Sequence, residues 1–255
     1  MSLFRVAGIP LAIHFTFFLL LAVNAFAGWA DGGWAGVGWS TALLVAFFVC
    51  VVLHELGHAL TARRYGIGVS RILLLPIGGM AEFDSIPREP KRELLITLAG
   101  PAVNFVLAGL LWAALPADAG ARLDAADFTT FGAVEFGEVL LHLNLAMGIF
   151  NFVPAFPMDG GRILRALLVL RLPYLRATFW AATVGKVVCV VSAVAAAFLQ
   201  PLAVALFIFI FVVGEMEYRA TRRREVEDAH FRATLARLHG PLFDPPVEEP
   251  PVLLR

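Results

Sequence analysis

Long apolar runs dominate the chain, and most are close to the length of about 20 residues that an α-helix needs to cross a bilayer. Polar, glycine-rich or proline-rich segments separate six such runs. They lie at about residues 10–28, 39–62, 94–115, 139–156, 179–199 and 202–214. Only Gln200-Pro201 separates the last two, which predicts a tight helical hairpin. The pattern therefore predicts an all-α polytopic membrane protein with six transmembrane helices.

A shorter apolar segment lies between the second and third runs. Residues 72–77 and 80–83 are two short, mostly apolar stretches on either side of Gly78-Gly79. Two such stretches around a glycine pair are typical of a β-hairpin. The segment is too short to span a bilayer and too apolar for water, so we expect a small re-entrant hairpin that the helices cover. An ordinary interfacial loop is the alternative.

The basic residues define an orientation for these runs. Six Lys and Arg residues fall within residues 63–92, four within 162–176 and four within 219–224, whereas the first loop has none. Basic loops stay on the cytoplasmic side, so both termini are expected in the cytoplasm. The chain is 60% hydrophobic and 16% charged, against about 45–50% and about 25% in soluble domains. Its net charge is zero, which gives no argument for a nucleic-acid partner.

The composition changes near the C-terminal end of the chain. We therefore expect residues 1–224 to form one membrane domain and residues 225–255 to form a short cytoplasmic tail. Residues 225–238 are compatible with one amphipathic helix. The remaining residues are rich in proline and are expected to be disordered.

The second apolar run contains a polar pentapeptide, His54-Glu-Leu-Gly-His58. Histidines four residues apart project from the same face of a helix and can hold one metal ion. The glutamate that follows the first histidine, Glu55, can then act on a water at that metal. Because polar groups inside a membrane span are costly, their presence there indicates a functional site.

A hydrolytic zinc site needs three protein ligands and one open position. Asp159 is a candidate third ligand, at the end of the fourth run within Asn151-Phe-Val-Pro-Ala-Phe-Pro-Met-Asp159-Gly-Gly. The prolines break the helix and the glycines allow a sharp turn, which could direct the carboxylate into the bundle. From spacing alone, a zinc ligand and an ordinary turn aspartate fit equally well.

Together these motifs resemble the site-2 proteases, which are intramembrane zinc metalloproteases. Ala99-Gly-Pro-Ala-Val-Asn104 is similar to a third signature of that family, and Gly78-Gly79 resembles the hairpin of its sporulation-factor-processing branch. The likeness runs from about residue 8 to 220. Met158 stands where leucine is more usual, and we expect no appended nucleotide-sensing (CBS) or PDZ domain. The resemblance implies one zinc ion per chain, held by His54, His58 and Asp159, with Glu55 as the general base.

The resemblance also implies a substrate, which is a membrane-tethered protein cleaved within or near its transmembrane segment. The Gly78-Gly79 hairpin could hold the unwound segment as an added strand. The family suggests that Asn104 and Asn151 contact the substrate backbone or the oxyanion, while hydrogen bonds between helices are an equal alternative. We expect a prokaryotic cell membrane as the location, with the site toward the cytoplasm. The sequence does not indicate an oligomeric state.

Two other classes of protein place similar residues in membranes. A zinc transporter needs a polar path across the whole bilayer, and the outer parts of the second and fourth runs show little of one. An inactive scaffold is disfavoured by the intact Glu55. Three other polar residues of the runs, Cys50, His142 and Asn144, are expected in core packing and helix–helix hydrogen bonds.

Overall fold

The structure is a computed structural model that describes residues 2–84, 88–116, 132–199 and 201–239. The chain forms two compact units, Met1–Phe152 and Val153–Arg255, which are described separately. The expected tail beyond His239 lies outside the described residues, and the expected boundary at residue 224 stays a prediction.

Among the described residues of the first unit there are three helices. They are α1 (Thr16–Arg64), α2 (Pro90–Ala114) and α3 (Ala133–Phe150). Helix α1 is interrupted at Gly32 and at Gly33, whose φ of 58° is readily adopted only by glycine. The chain folds back there. This brings the rings of Phe17 and Phe48, one from each side of the bend, into edge-to-face contact with centroids 4.6 Å apart. The first two predicted spans are thus the two limbs of α1.

The limbs approach each other closely at two glycines near the bend. A Cβ atom on Gly36 would lie 2.0 Å from the carbonyl oxygen of Gly28, so neither limb tolerates a side chain at this crossing. Farther along, Asn24 donates a hydrogen bond of 3.2 Å to the hydroxyl of Ser40. Backbone contact and one polar pair therefore join the limbs near the bend, and the Phe17–Phe48 pair joins them near the other end.

A four-stranded sheet completes the first unit. Its strands are β1 (Ser2–Val6), β2 (Ile9–Ile13), β3 (Val69–Leu75) and β4 (Gly78–Phe83), arranged in that order. Strand β2 is parallel to β3, and the other two pairings are antiparallel. The predicted β-hairpin is confirmed as β3 and β4, but it belongs to a larger sheet than expected.

The start of the first predicted span was wrong. Residues 10–13 belong to β2 rather than to a helix, and α1 begins at Thr16. A short apolar run does not by itself distinguish a strand from a helix. The pairing with β3 decides the outcome here, since Leu11 to Ile13 are in register with Ile72 to Leu74.

The sheet packs against the limb of α1 that carries the two histidines. Buried side chains from both elements form one hydrophobic cluster: Ile9, Leu11, Ile72 and Leu74 from the sheet, and Phe17, Phe48, Val51, Leu56 and Ala59 from α1. Of these α1 residues, Leu56 lies within the His54–His58 motif, and Val51 and Ala59 flank it. The same packing that covers the sheet therefore places the motif beside it.

In the part of the second unit that the structure describes, the helices are α4 (Asp159–Val169), α5 (Tyr174–Leu199) and α6 (Pro201–His239). Helix α4 was not predicted. The fourth predicted span also ends earlier than expected, at Phe150, so Asp159 begins a new helix instead of closing that span. Pro154 and Pro157 account for the break, because proline removes a backbone donor and clashes with the preceding turn.

Helices α5 and α6 form the expected helical hairpin. Lys186 on α5 and Arg219 on α6 both donate hydrogen bonds to the carboxylate of Glu215. Helix α6 continues far beyond residue 214, so the amphipathic helix expected at 225–238 is its continuation. No glycine or proline interrupts residues 215–239, and glutamate, arginine and alanine favour the helix.

Within the described residues, four helices are long and apolar enough to cross a membrane by length and composition. They are α1, α2, α3 and α5. The protein is therefore a mostly helical, integral membrane protein with a small sheet. Six spans with both termini in the cytoplasm stay a prediction.

Candidate metal centre and active site

His54 and His58 are buried on α1, with 3% and 6% of their surfaces exposed. Their Nε2 atoms are 3.1 Å apart, and the two rings meet nearly at right angles. Two nitrogen ligands at about 2.0–2.1 Å from a tetrahedral zinc ion lie about 3.4 Å apart. The spacing of the two nitrogens therefore fits one shared metal ion.

The other ring nitrogens of both histidines face acceptors on α2. The Nδ1 atom of His54 is 2.6 Å from Oδ1 of Asn104, and the Nδ1 atom of His58 is 2.8 Å from the carbonyl oxygen of Ile96. A carbonyl oxygen only accepts, so each Nδ1 carries the hydrogen and donates it. Metal-binding histidines are commonly held in this way, which leaves the Nε2 lone pair for the metal.

Helix α2 also leaves open the space that the two Nε2 atoms occupy. A Cβ atom on Gly100 would lie 2.2 Å from Nε2 of His58 and 2.8 Å from Nε2 of His54. Ile96, Gly100 and Asn104 are spaced at four-residue intervals and so share one face of α2. That face supplies one acceptor for each imidazole and, between them, a position without a side chain.

Asp159 is the first residue of α4 and is 6% exposed. A carboxylate is favoured at a helix N-terminus by the helix dipole. Gly161 permits the fold of this segment, because a Cβ atom there would lie 2.8 Å from the backbone nitrogen of Phe156. Asp159 stays the predicted third ligand of a metal ion held by His54 and His58. Two imidazoles and one carboxylate are a donor set typical of catalytic zinc.

The carboxylate of Glu55 lies against β4. The backbone N–H of Ala81 donates a hydrogen bond of 3.0 Å to its Oε2 atom. A Cβ atom on Gly79 would lie 2.6 Å from Cγ of Glu55, so this glycine leaves the space for the glutamate side chain. Gly78 follows the turn between β3 and β4 with a φ of 140°. The glycine pair thus serves the turn and the packing of Glu55.

The two asparagines singled out from the sequence have different surroundings. Asn104 is fully buried, and its amide nitrogen donates a 3.0 Å hydrogen bond to Oδ1 of Asn144 on α3. The expected alternative of a hydrogen bond between helices is therefore present at Asn104. Asn151, half-buried just after α3, donates to the carbonyl oxygen of Met147 over 3.0 Å. Substrate contacts by either residue stay a prediction.

Sequence reasoning missed the roles of Gly100 and Ile96. Glycine next to the metal ligands acts through the side chain that it lacks, and Ile96 acts through its backbone. One signal was present, since both lie on the same helix face as Asn104 at intervals of four residues.

The residues that match a known protein family include His54, His58 and Asp159. Residues 42–126 and 119–192 match peptidase family M50. The solved structure of a site-2 protease from Methanocaldococcus jannaschii is 35% identical, with a TM-score of 0.63, and the match covers 86% of this chain and 94% of that one. The chain belongs to peptidase family M50, the family of the site-2 proteases.

Curated relatives include longer proteins. A zinc metalloprotease of the same archaeon is 43% identical over 195 residues, which is 72% of this chain and 50% of the relative. The stage IV sporulation protein FB of Bacillus subtilis is 29% identical over 77% of this chain and 64% of its own length. This chain therefore spans about half to two thirds of the length of these two relatives.

Proposed function

We propose that the protein is an intramembrane zinc metalloprotease that hydrolyses peptide bonds within or near the transmembrane segment of a membrane-tethered protein. The observation that carries this proposal is the pair of histidine Nε2 atoms 3.1 Å apart, with Glu55 beside them, on a helix apolar enough to span a membrane. The family membership and the zinc metalloproteases among the relatives support it.

The proposed metal ligands are Nε2 of His54, Nε2 of His58 and the carboxylate of Asp159, with one zinc ion per chain. When bound, zinc lowers the pKa of a water molecule and polarises a peptide carbonyl. The chain's own contribution is a buried site in which α2 fixes both imidazoles. Gly100 keeps the space beside them clear of any side chain.

Glu55 is the proposed general base and acid. Its carboxylate accepts the proton of the attacking water and later delivers that proton to the leaving amine. The hydrogen bond from Ala81 holds the carboxylate by Oε2, which fixes the side chain in one orientation beside β4. A base held in place before the reaction loses little freedom when it accepts the proton.

The substrate segment has to be extended before it can be cut, because the carbonyl groups of a helix are hydrogen-bonded internally. Strand β4 pairs with β3 on one side and is the last strand of the sheet. We propose that its other edge pairs with the unwound segment as an added strand. The Ala81 N–H that reaches Glu55 points toward this edge, so a strand bound there would lie beside the base.

The glycines and asparagines have separate parts in this proposal. Gly78 and Gly79 are proposed to bind the incoming segment through their backbone at the start of the edge strand, where a Cβ atom on Gly78 would meet nothing within 4 Å. Asn151 is proposed to contact the substrate backbone or the oxyanion. For Asn104 we propose the alternative of a hydrogen bond between helices, because its amide already contacts His54 and Asn144. The proposed location is a prokaryotic cell membrane, with six spans and the site toward the cytoplasm.

The test uses the full chain in phospholipid vesicles with a panel of single-span helices, each joined to a soluble reporter at either end. Mass spectrometry of the products should place the cut within or near the span of at least one helix. Chelation of zinc should stop cleavage, and added zinc should restore it. Intact helices throughout, together with zinc flux into the vesicles, would support a transporter instead.

A further inference from the structure

A row of buried side-chain hydrogen bonds connects α3 to His54 through α2. Asn144 on α3 donates from Nδ2 to the carbonyl oxygen of Leu140 over 2.8 Å. Its Oδ1 accepts a 3.0 Å hydrogen bond from Nδ2 of Asn104, whose own Oδ1 lies 2.6 Å from Nδ1 of His54. Both asparagines are fully buried. The row therefore ends on a proposed zinc ligand.

Only one orientation of each asparagine amide is consistent with these hydrogen bonds. The Leu140 carbonyl can only accept, so the amide nitrogen of Asn144 faces it and the amide oxygen faces Asn104. Asn104 must then turn its nitrogen toward Asn144 and its oxygen toward His54. Two sulfur atoms reinforce this arrangement, since Cys50 and Met147 lie 3.4 and 3.5 Å from the amide nitrogens of Asn144 and Asn104.

The two imidazoles are held by different kinds of acceptor. His58 faces the backbone carbonyl of Ile96, which cannot exchange its oxygen for a donor. His54 faces a side-chain amide, and an amide turned by half a rotation presents its nitrogen in nearly the same place. A donor at that place would favour the hydrogen on Nε2 of His54, where the metal has to bind. Asn104 therefore needs a partner that fixes its orientation.

We propose that Asn144 is a positioning residue for the metal centre. It acts through Asn104 to keep the hydrogen of His54 on Nδ1, so that the Nε2 lone pair faces the zinc position. This inference rests on the proposed zinc site and deepens it. A hydrogen-bond acceptor on α3 thus sets the tautomer of a ligand on α1.

The first variant is Asn144→Leu, which keeps roughly the same volume and removes the amide. Zinc affinity should fall by about 10- to 100-fold, which is the usual loss for groups that orient a metal ligand. Competition with a chelator on the purified full chain measures this affinity without any need for proteolysis. The nitrogen resonances of ¹⁵N-labelled histidine in the zinc-free protein should show a shift of hydrogen toward Nε2 of His54.

The decisive step repeats the substitution in an Asn104→Asp background. A carboxylate presents an acceptor to His54 in either orientation, so it needs no partner to fix it. In this background Asn144→Leu should no longer lower zinc affinity. An equal loss in both backgrounds would mean that Asn144 acts through packing alone and would overturn the proposal.

Asn24→Leu is the matched control. It removes a hydrogen bond between the limbs of α1 by the same chemical change, and zinc affinity should stay unchanged. An equal loss in Asn24→Leu would indicate general loosening and also overturn the proposal. If His58→Ala leaves zinc binding intact, the proposed zinc site itself fails. Normal zinc affinity in Asn144→Leu, with His58→Ala unable to bind zinc, defeats only the role of Asn144.

Discussion

The backbone N–H of Ala81 donates a hydrogen bond to Oε2 of Glu55 over 3.0 Å, and this contact ties the edge of the sheet to the proposed base. The contact gives the apolar hairpin of β3 and β4 a role beside α1, the helix that carries His54 and His58. The strand supports the carboxylate on the same edge that is proposed to receive the substrate. Placement of the base and capture of the substrate thus depend on one short segment of backbone.

Ala81→Pro tests this contact. Proline removes the N–H donor, and the donor points away from β3, so the pairing of the hairpin should survive. A hydrogen bond to a charged group contributes about 1.5–3 kcal/mol, so the cleavage rate should fall by about 10- to 100-fold. Ala81→Val, which keeps the donor, should cleave at close to the normal rate. Equal rates for both variants would show that the contact does not position the base.

Gly100→Ala tests the space beside the metal ligands. The added methyl group would lie 2.2 Å from Nε2 of His58, so zinc content measured by elemental analysis should fall sharply. Gly109→Ala on the same helix is the matched control, because a Cβ atom there meets nothing within 4 Å. That variant should keep its zinc and gain about 1 kcal/mol of helix stability. Full zinc content in Gly100→Ala would contradict the proposed position of the metal.

Asp159→Ala tests the third ligand. Zinc content should fall sharply because two imidazoles alone bind the metal weakly, and cleavage should be lost with it. Asp84→Ala is a suitable control, since this carboxylate is exposed and accepts a hydrogen bond from Ser70 at the end of the hairpin. A variant without Asp159 that keeps both full zinc and full activity would show that another residue completes the site.

The ligand motif was predictable because its geometry is local. Histidines four residues apart share a helix face in any tertiary structure, so His54 and His58 needed no further information. The hairpin was predictable for the same reason, since two short apolar runs around Gly78-Gly79 define it locally.

Other features depend on contacts between distant elements, and the sequence could not provide them. Residues 9–13 form a strand only because β3 lies beside them, and the same run would also suit the start of a helix. The pairing of Asn104 with His54 requires the rotation of α2 about its axis, which apolar composition leaves open. Gly100 matters through an absent side chain, so its role appears only when its neighbours are known.

We propose that this chain cleaves peptide bonds with a metal ion and with Glu55 as the base. Glu55→Gln keeps the shape of the side chain and removes the base, so the most direct measurement compares this variant with the unmodified protein in vesicles. Cleavage of a tethered helix and zinc content are recorded on the same samples. Zinc should stay stoichiometric while the cleavage rate falls by at least about 10²- to 10⁴-fold. Cleavage at the normal rate by zinc-loaded Glu55→Gln would show that Glu55 is not the base.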